Sequence, residues 1–195
     1  MTTARLQLGL PDDLRPQAAR LYWQAFGGKL GIVMGPEPRA LAFLHRAIRP
    51  DQVIAAISPQ GQLLGIAGFK TPHGSFASGK PADLTAIYGH FGGFWRRQLL
   101  GMLSDGVDNE RFLLDGLCVD AAARSLGLGS ALLQAICELG ARRGYKAVRL
   151  EVIDTNWRAI ALYKRLGFQI VATQSIGPLR LIFGFKSALT MVRSL

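Results

Sequence analysis

The feature that most constrains this chain is a turn. RSLGLGSALL, Arg124–Leu133, joins an apolar run, FLLDGLCV, to an apolar-periodic segment, SALLQAICELGARR. A strand that passes through two glycines into a helix brings main-chain amides together where an anion is readily held. A helix beginning near Gly127 presents unpaired amides in its first turn, and its dipole favours negative charge there. Gly127 and Gly129 carry no side chain, so a pyrophosphate can approach the backbone, and Arg124 adds a cation at the mouth. No lysine follows the second glycine, which excludes a P-loop, and no third glycine completes a dinucleotide fingerprint. The plain structural alternative is that Gly127 only permits a tight strand-to-helix turn.

Patterning on either side of the turn gives an α/β order. LQLGL reads as a short strand ended by Pro11. DDLRPQAARLYWQAF has helical spacing, with Asp12 or Asp13 as its cap and Gly27–Gly28 as its stop. PEPRALAFLHRAI is a second helix with proline in its first turn. DQVIAAIS and QLLGIAGFK flank the turn signal SPQG and read as a hairpin. The Gly/Ser/Pro-rich segment Thr71–Pro81 is a loop. Leu84, Ile87, Tyr88, Phe91, Phe94, Trp95, Leu99 and Met102 then fall on one helical face, an inserted helical segment at about 82–104 weakened by Gly89, Gly92 and Gly93. SDGVDNE is a polar turn. RFLLDGLCV, KAVRLEVI and FQIVAT are strands, and NWRAIALYKRLG is a short helix closed by Gly167. Leu179, Leu181, Phe183, Phe185, Leu189 and Met191 keep a period of two, which predicts one long, half-buried strand. The expectation is a mixed α/β layer over residues 1–195 as one domain.

Composition narrows the class of function. With 49% apolar and 18% charged residues the chain is a folding sequence. Its apolar stretches fall short of the roughly 18 residues that span a bilayer, and its first residues carry no apolar h-region. A cytoplasmic protein without membrane attachment is expected. Cys118 and Cys137 sit in apolar runs and read as reduced thiols. His45, His73 and His90 lack metal-ligand spacing, so no metal is expected. The net charge of +10 favours acidic partners, but the basic residues are dispersed and no nucleic-acid signature accompanies them.

Two motifs carry a family resemblance. DGLCVDAAARSLGLGSALL is similar to the cofactor motif of the GNAT superfamily of N-acetyltransferases, Gln/Arg-x-x-Gly-x-Gly/Ala, with Arg124, Gly127 and Gly129 in its positions. Downstream, LEVIDTNWRAIALYKRLGF resembles the second motif, with Asn156, Tyr163, Gly167 and Phe168 in place. The resemblance covers residues 111–172. It implies a mostly antiparallel sheet with a central splayed parallel pair and helices on both faces. It also implies acetyl-CoA as co-substrate, its pyrophosphate held by Arg124, Ser125, Leu126, Gly127, Leu128, Gly129 and Ser130. The strand of Leu117, Cys118 and Val119 would splay at a bulge and hold the pantetheine arm, one of its amides facing the thioester oxygen. Asn156 would touch the same arm, although TN at a helix start is also what capping alone predicts.

Acetyl transfer to an amine needs a base for the ammonium and an acid for the leaving thiolate. Tyr163 is the acid that the resemblance implies: a phenol stays protonated at neutral pH. It also shares a helix face with Ala159, Leu162 and Leu166, as a packed residue would. Glu151 and Asp115 are the candidate bases, if burial raises either towards neutrality. The Glu151–Asn156–Tyr163 spacing resembles the ribosomal-protein alanine N-acetyltransferases, where the matching Glu accepts the proton. Both acids also suit the polar face of a strand. Cys118 as a covalent nucleophile lacks a partnered histidine nearby in sequence.

The resemblance places the acceptor between the first two helices and the loop before the last strand, here Tyr22, Trp23, Phe26 and the ATQSIGP segment. The aromatic residues suit an amine by apolar and cation–π contact, and equally a helix core. The 84–102 helix reads as a lid or as a subunit contact in a homodimer. The expected function is N-acetyl transfer from acetyl-CoA to a primary amine (a protein N-terminus, a lysine or a small molecule). The alternative is a non-catalytic acyl-CoA-binding regulator.

Overall fold

Alternate residues of one short strand face two different cores. Val53, Ala55 and Ile57 belong to an apolar cluster with Leu21, Phe43 and Leu84, while Ile54 and Ala56 belong to a second cluster with Leu132, Ile136 and Phe168. A strand whose two faces are both covered must be apolar throughout, as VIAAI is. The computed structural model describes residues 4–102 and 110–195. The expected polar turn over 104–110 lies outside the described residues, apart from Glu110.

The strands are β1 (Arg5–Leu8), β2 (Val53–Ile57), β3 (Leu63–Thr71), β4 (Gly74–Ser75), β5 (Phe112–Val119), β6 (Ala147–Ile153), β7 (Gln169–Ser175) and β8 (Ser187–Ser194). They form one sheet in the order β1-β2-β3-β5-β6-β8-β7, with β4 paired to β3. Every pairing is antiparallel except β5 with β6. Helices α1 (Arg15–Met34), α2 (Glu37–Ala47) and α3 (Pro81–Met102) serve the first core, with the one-turn α6 (Arg180–Phe183). Helices α4 (Leu128–Arg142) and α5 (Trp157–Arg165) serve the second. This is the mixed, mostly antiparallel sheet with a central parallel pair and helices on both faces.

Four local expectations are corrected. Gly27 and Gly28 do not stop α1, which runs 20 residues to Met34. A Cβ at Gly27 would lie 2.8 Å from the Trp23 ring, so this glycine lets the indole fold back over its own helix. Burial of Val33 and Met34 in the last turn outweighs the propensity cost of glycine. Neither Asp12 nor Asp13 caps the helix: a 3₁₀ turn over Asp12–Leu14 precedes it without a side-chain cap. Asp12 instead pairs with the Arg15 guanidinium at 2.8 Å.

The period-two stretch from Leu179 becomes a strand only at Ser187. Before it come a 3₁₀ turn at Gly177–Leu179 and α6, followed by Gly184 at φ 71. Phe183 and Phe185 are buried in the core that α1 shares, and Leu181 is exposed, so the helical turn satisfies the same apolar residues.

The single apolar face expected over 84–102 is broken by Gly89, whose φ of 74 and ψ of 174 interrupt α3. The phase of the helix resets there. Leu84 and Tyr88 are buried before the break, whereas Phe91 and Phe94 after it are 84% and 63% exposed. Trp95, Leu99 and Leu100 then pack inward. Both halves are pinned to the end of α1. Arg96 Nε donates to the Val33 carbonyl at 2.7 Å and the Tyr88 hydroxyl donates to the Met34 carbonyl. The Arg96 guanidinium stacks 4.0 Å from the Tyr88 ring and 4.2 Å from the Trp95 ring.

Candidate active site

β5 and β6 are parallel, yet they hold register only at Phe112–Val148, Leu113–Arg149 and Leu114–Leu150. Beyond Leu114, β5 stays with β3 and β6 stays with β8. The parting begins at a bulge: β3 pairs Phe69 with Leu114 and Gly68 with Gly116, which leaves Asp115 as the extra residue. An inserted residue bends its strand. The gap is a cavity of about 620 Å³, walled by Leu114–Val119 on one side and Leu150–Ile153 on the other.

At one edge of this cavity α4 begins. Ser125 (φ 64) and Gly127 (φ 79) hold left-handed backbone, which turns the chain from β5 into the helix. Gly127 is the N-cap, and no side chain caps the first turn. The amide end of a 15-residue helix is therefore open to an anion. Gly129 and Arg124 line the cavity. A Cβ at Gly129 would lie 3.3 Å from Leu162, so the close approach there depends on glycine. The Arg124 Nε donates to the Val119 carbonyl at 3.3 Å. Leu128 is buried in the core and Leu126 is exposed, so Ser125–Ser130 offer a ligand backbone more than side chains. These residues fit a diphosphate.

α5 supplies the opposite side. Asn156 Oδ1 accepts from the Ala159 amide at 3.3 Å, a helix cap, and Asn156 also lines the cavity. Asn156 is therefore a helix cap placed at the cavity wall. Two helical turns further, Tyr163 lines the cavity and is 7% exposed. Burial, with Cys118 nearby, pushes its hydroxyl well above the ordinary phenol value. Cys118 is buried and its thiol is pushed up by burial, so it carries no thiolate for covalent catalysis.

α1 closes the third side. Tyr22 and Phe26, with ring centroids 4.5 Å apart, lie over the bulge, where a Cβ at Gly116 would meet Phe26 at 3.4 Å and Tyr22 at 3.5 Å. Burial, then the neighbouring Asp115, raises the Tyr22 phenol well above its usual value. Trp23 does not line this cavity; it lines a neighbouring one.

The two candidate carboxylates differ. Burial raises the Asp115 carboxyl, opposed by the Ala77 amide, Lys70 and the Ser75 side chain. Its Oδ2 accepts from the Ala77 amide at 3.5 Å. Glu151 is held by charge: its Oε1 accepts from Arg149 Nη2 at 2.7 Å and from the Thr190 hydroxyl at 3.4 Å. Period two puts Arg149 and Glu151 on one face of β6, a pairing legible in the sequence. Nothing in the sequence marks Ser75–Ala77 as neighbours of Asp115.

The profile of the acetyltransferase (GNAT) family matches residues 15–168, well over half of the chain. The chain belongs to the GNAT acetyltransferase family. Enzymes of this family transfer acyl groups, and the split sheet described above is its architecture. Two curated acetyltransferases match locally. Mycothiol acetyltransferase of Clavibacter sepedonicus is 47% identical over 68 residues, 35% of this chain and 21% of that protein. Thialysine N-epsilon-acetyltransferase of Bos taurus is 38% identical over 56 residues, 29% of this chain and 33% of that protein. The chain thus spans a third or less of the length of these relatives. A solved structure described as histone acetyltransferase HPA2 and related acetyltransferase from Corynebacterium glutamicum superposes with a TM-score of 0.64 at 21% identity, covering 98% of this chain and 96% of that one. Among the described residues, no group of three His, Cys, Asp or Glu could hold a metal ion. Among the described residues, no helix is long and apolar enough to cross a membrane.

Proposed function

We propose that this GNAT member moves an acetyl group from acetyl-CoA to a primary amine by direct attack. The observation that carries the reading is the parting of β5 from β6 after Leu114 and Leu150, with the open end of α4 at the edge of the gap. Acetyl-CoA supplies a thioester. Arg124 and the amides of Ser125–Ser130 hold its diphosphate, and Leu117, Cys118, Val119 and Asn156 hold its arm. An amide of the β5 segment that has parted from β6 faces the carbonyl oxygen as it gains charge, worth about 3 kcal/mol.

Of the two carboxylates, Asp115 is the better base: it stands at the bulge in the cavity wall and burial raises its pKa, whereas Glu151 is paired with Arg149. Asp115 takes one proton from the acceptor ammonium and passes it to solvent. The freed nitrogen forms the C–N bond as the C–S bond breaks. Tyr163 gives a proton to the departing sulfur and is restored by the second proton that nitrogen sheds. Glu151, neutralised by its pair with Arg149, lines the cleft without serving as the base. Calorimetry with acetyl-CoA tests the reading, with thiol release on an amine panel as the second arm. Binding with amine-dependent thiol release is expected. Absence of acetyl-CoA binding overturns it, and binding without turnover on any amine favours a regulator.

A further inference from the structure

A second cavity, of about 470 Å³, lies between α1, α2 and α3, a size that suits a small organic ligand. Tyr22 and Leu30 line both cavities. The seam between them is chemical. Asp115 lines the first, and its carboxylate accepts from Ala77 and is engaged by Ser75, both of which line the second. The walls of the second cavity include Trp23, Met34, Phe43, Leu44 and Leu84, an apolar surface. Arg97 lines it as a cation, and no carboxylate of the described residues does. Its roof is α3, fixed to the end of α1 by Arg96 and Tyr88.

We infer that this roofed cavity is the acceptor site, and that the acceptor is a primary monoamine with an apolar body lodged among Trp23, Phe43 and Leu84 and its amine at Asp115. The inference rests on the acetyl-transfer reading for the amine's fate, though not for its binding. A far ammonium would face the exposed Arg97 cation and no lining carboxylate, so polyamines are disfavoured. An apolar body gains from each methylene withdrawn from water.

The test is calorimetric titration of the protein, both alone and with CoA present, with 4-phenylbutylamine, n-butylamine and spermidine. Wild type binds 4-phenylbutylamine at least tenfold more tightly than either of the others. Ser78→Trp, at an exposed lining position, plugs the mouth and removes that preference. Leu100→Trp does the same from α3, and acetyl-CoA affinity stays unchanged in both. Equal affinity for the three amines overturns the inference, as does a preference that survives in both plugged variants. Loss of acetyl-CoA binding in the wild type overturns only the acetyl-transfer reading, because amine binding is scored separately.

Discussion

The two walls of the cleft recognise by different means. On the α4 side the chain presents backbone: left-handed residues at Ser125 and Gly127, a helix end without a side-chain cap, and a glycine at 129. On the α1 side it presents side chains: Tyr22 and Phe26 over the bulge, then Trp23 and Phe43 beyond it. Main-chain amides read a feature every copy of one ligand shares, a phosphate. Side chains read what differs between ligands. On the reading proposed above, the α4 wall takes the donor and the α1 wall takes the acceptor, so the second is where this chain is particular.

The comparison breaks hardest at Asp115, which stands between the walls. Asp115→Asn should lower turnover by about 1,000-fold and leave acetyl-CoA affinity unchanged by calorimetry. Because the folded carboxyl titrates above its ordinary value, kcat/KM in wild type should fall as pH drops through that raised pKa. The stability effect has the opposite sense. A carboxyl raised on folding binds its proton more tightly in the native state, so its ionisation costs stability at neutral pH and the cost disappears in acid. Asp115→Asn should thus raise Tm at pH 7 and leave it unchanged at pH 3.

Tyr163→Phe should reduce turnover by about 100-fold with the same dissociation constant for acetyl-CoA. A variant that turns over normally removes Tyr163 from the proton path. Gly129→Val should weaken acetyl-CoA by about tenfold, whereas Ser130→Ala should change it less than twofold. Equal effects from the two would mean that side chains, not backbone, hold the donor. Asn156→Ala removes the α5 cap and should cost about 1 kcal/mol of stability in urea unfolding.

The same division explains what was legible in the sequence. The donor wall is written in short motifs because backbone geometry needs glycine at fixed spacing: Arg124, Gly127 and Gly129 announce themselves, and Asn156 and Tyr163 follow in order on one helix. The hairpin around SPQG was legible from its turn, but the continuously apolar Val53–Ile57 shows no alternation because its two faces serve two cores. The acceptor wall resisted because glycine has more than one meaning. Gly27 reads as a helix stop until the Trp23 ring occupies the space its Cβ would fill. Gly89 reads as a weak helix position, yet it resets the phase of α3 and turns Phe91 outward. Likewise the period of two around Phe183 and Phe185 suits a strand as well as a one-turn helix under α1. The pairing of Asp115 with Ala77, 38 residues away, is a product of topology that no local pattern encodes.

The clamp between α3 and the end of α1 has a consequence for how substrate preference can evolve. Val33 and Met34 have their carbonyls answered by side chains from the roof, so trimming that roof strips a helix terminus of its partners. A descendant exploring new substrates is freer to repaint the inner surface of the chamber than to remove its ceiling.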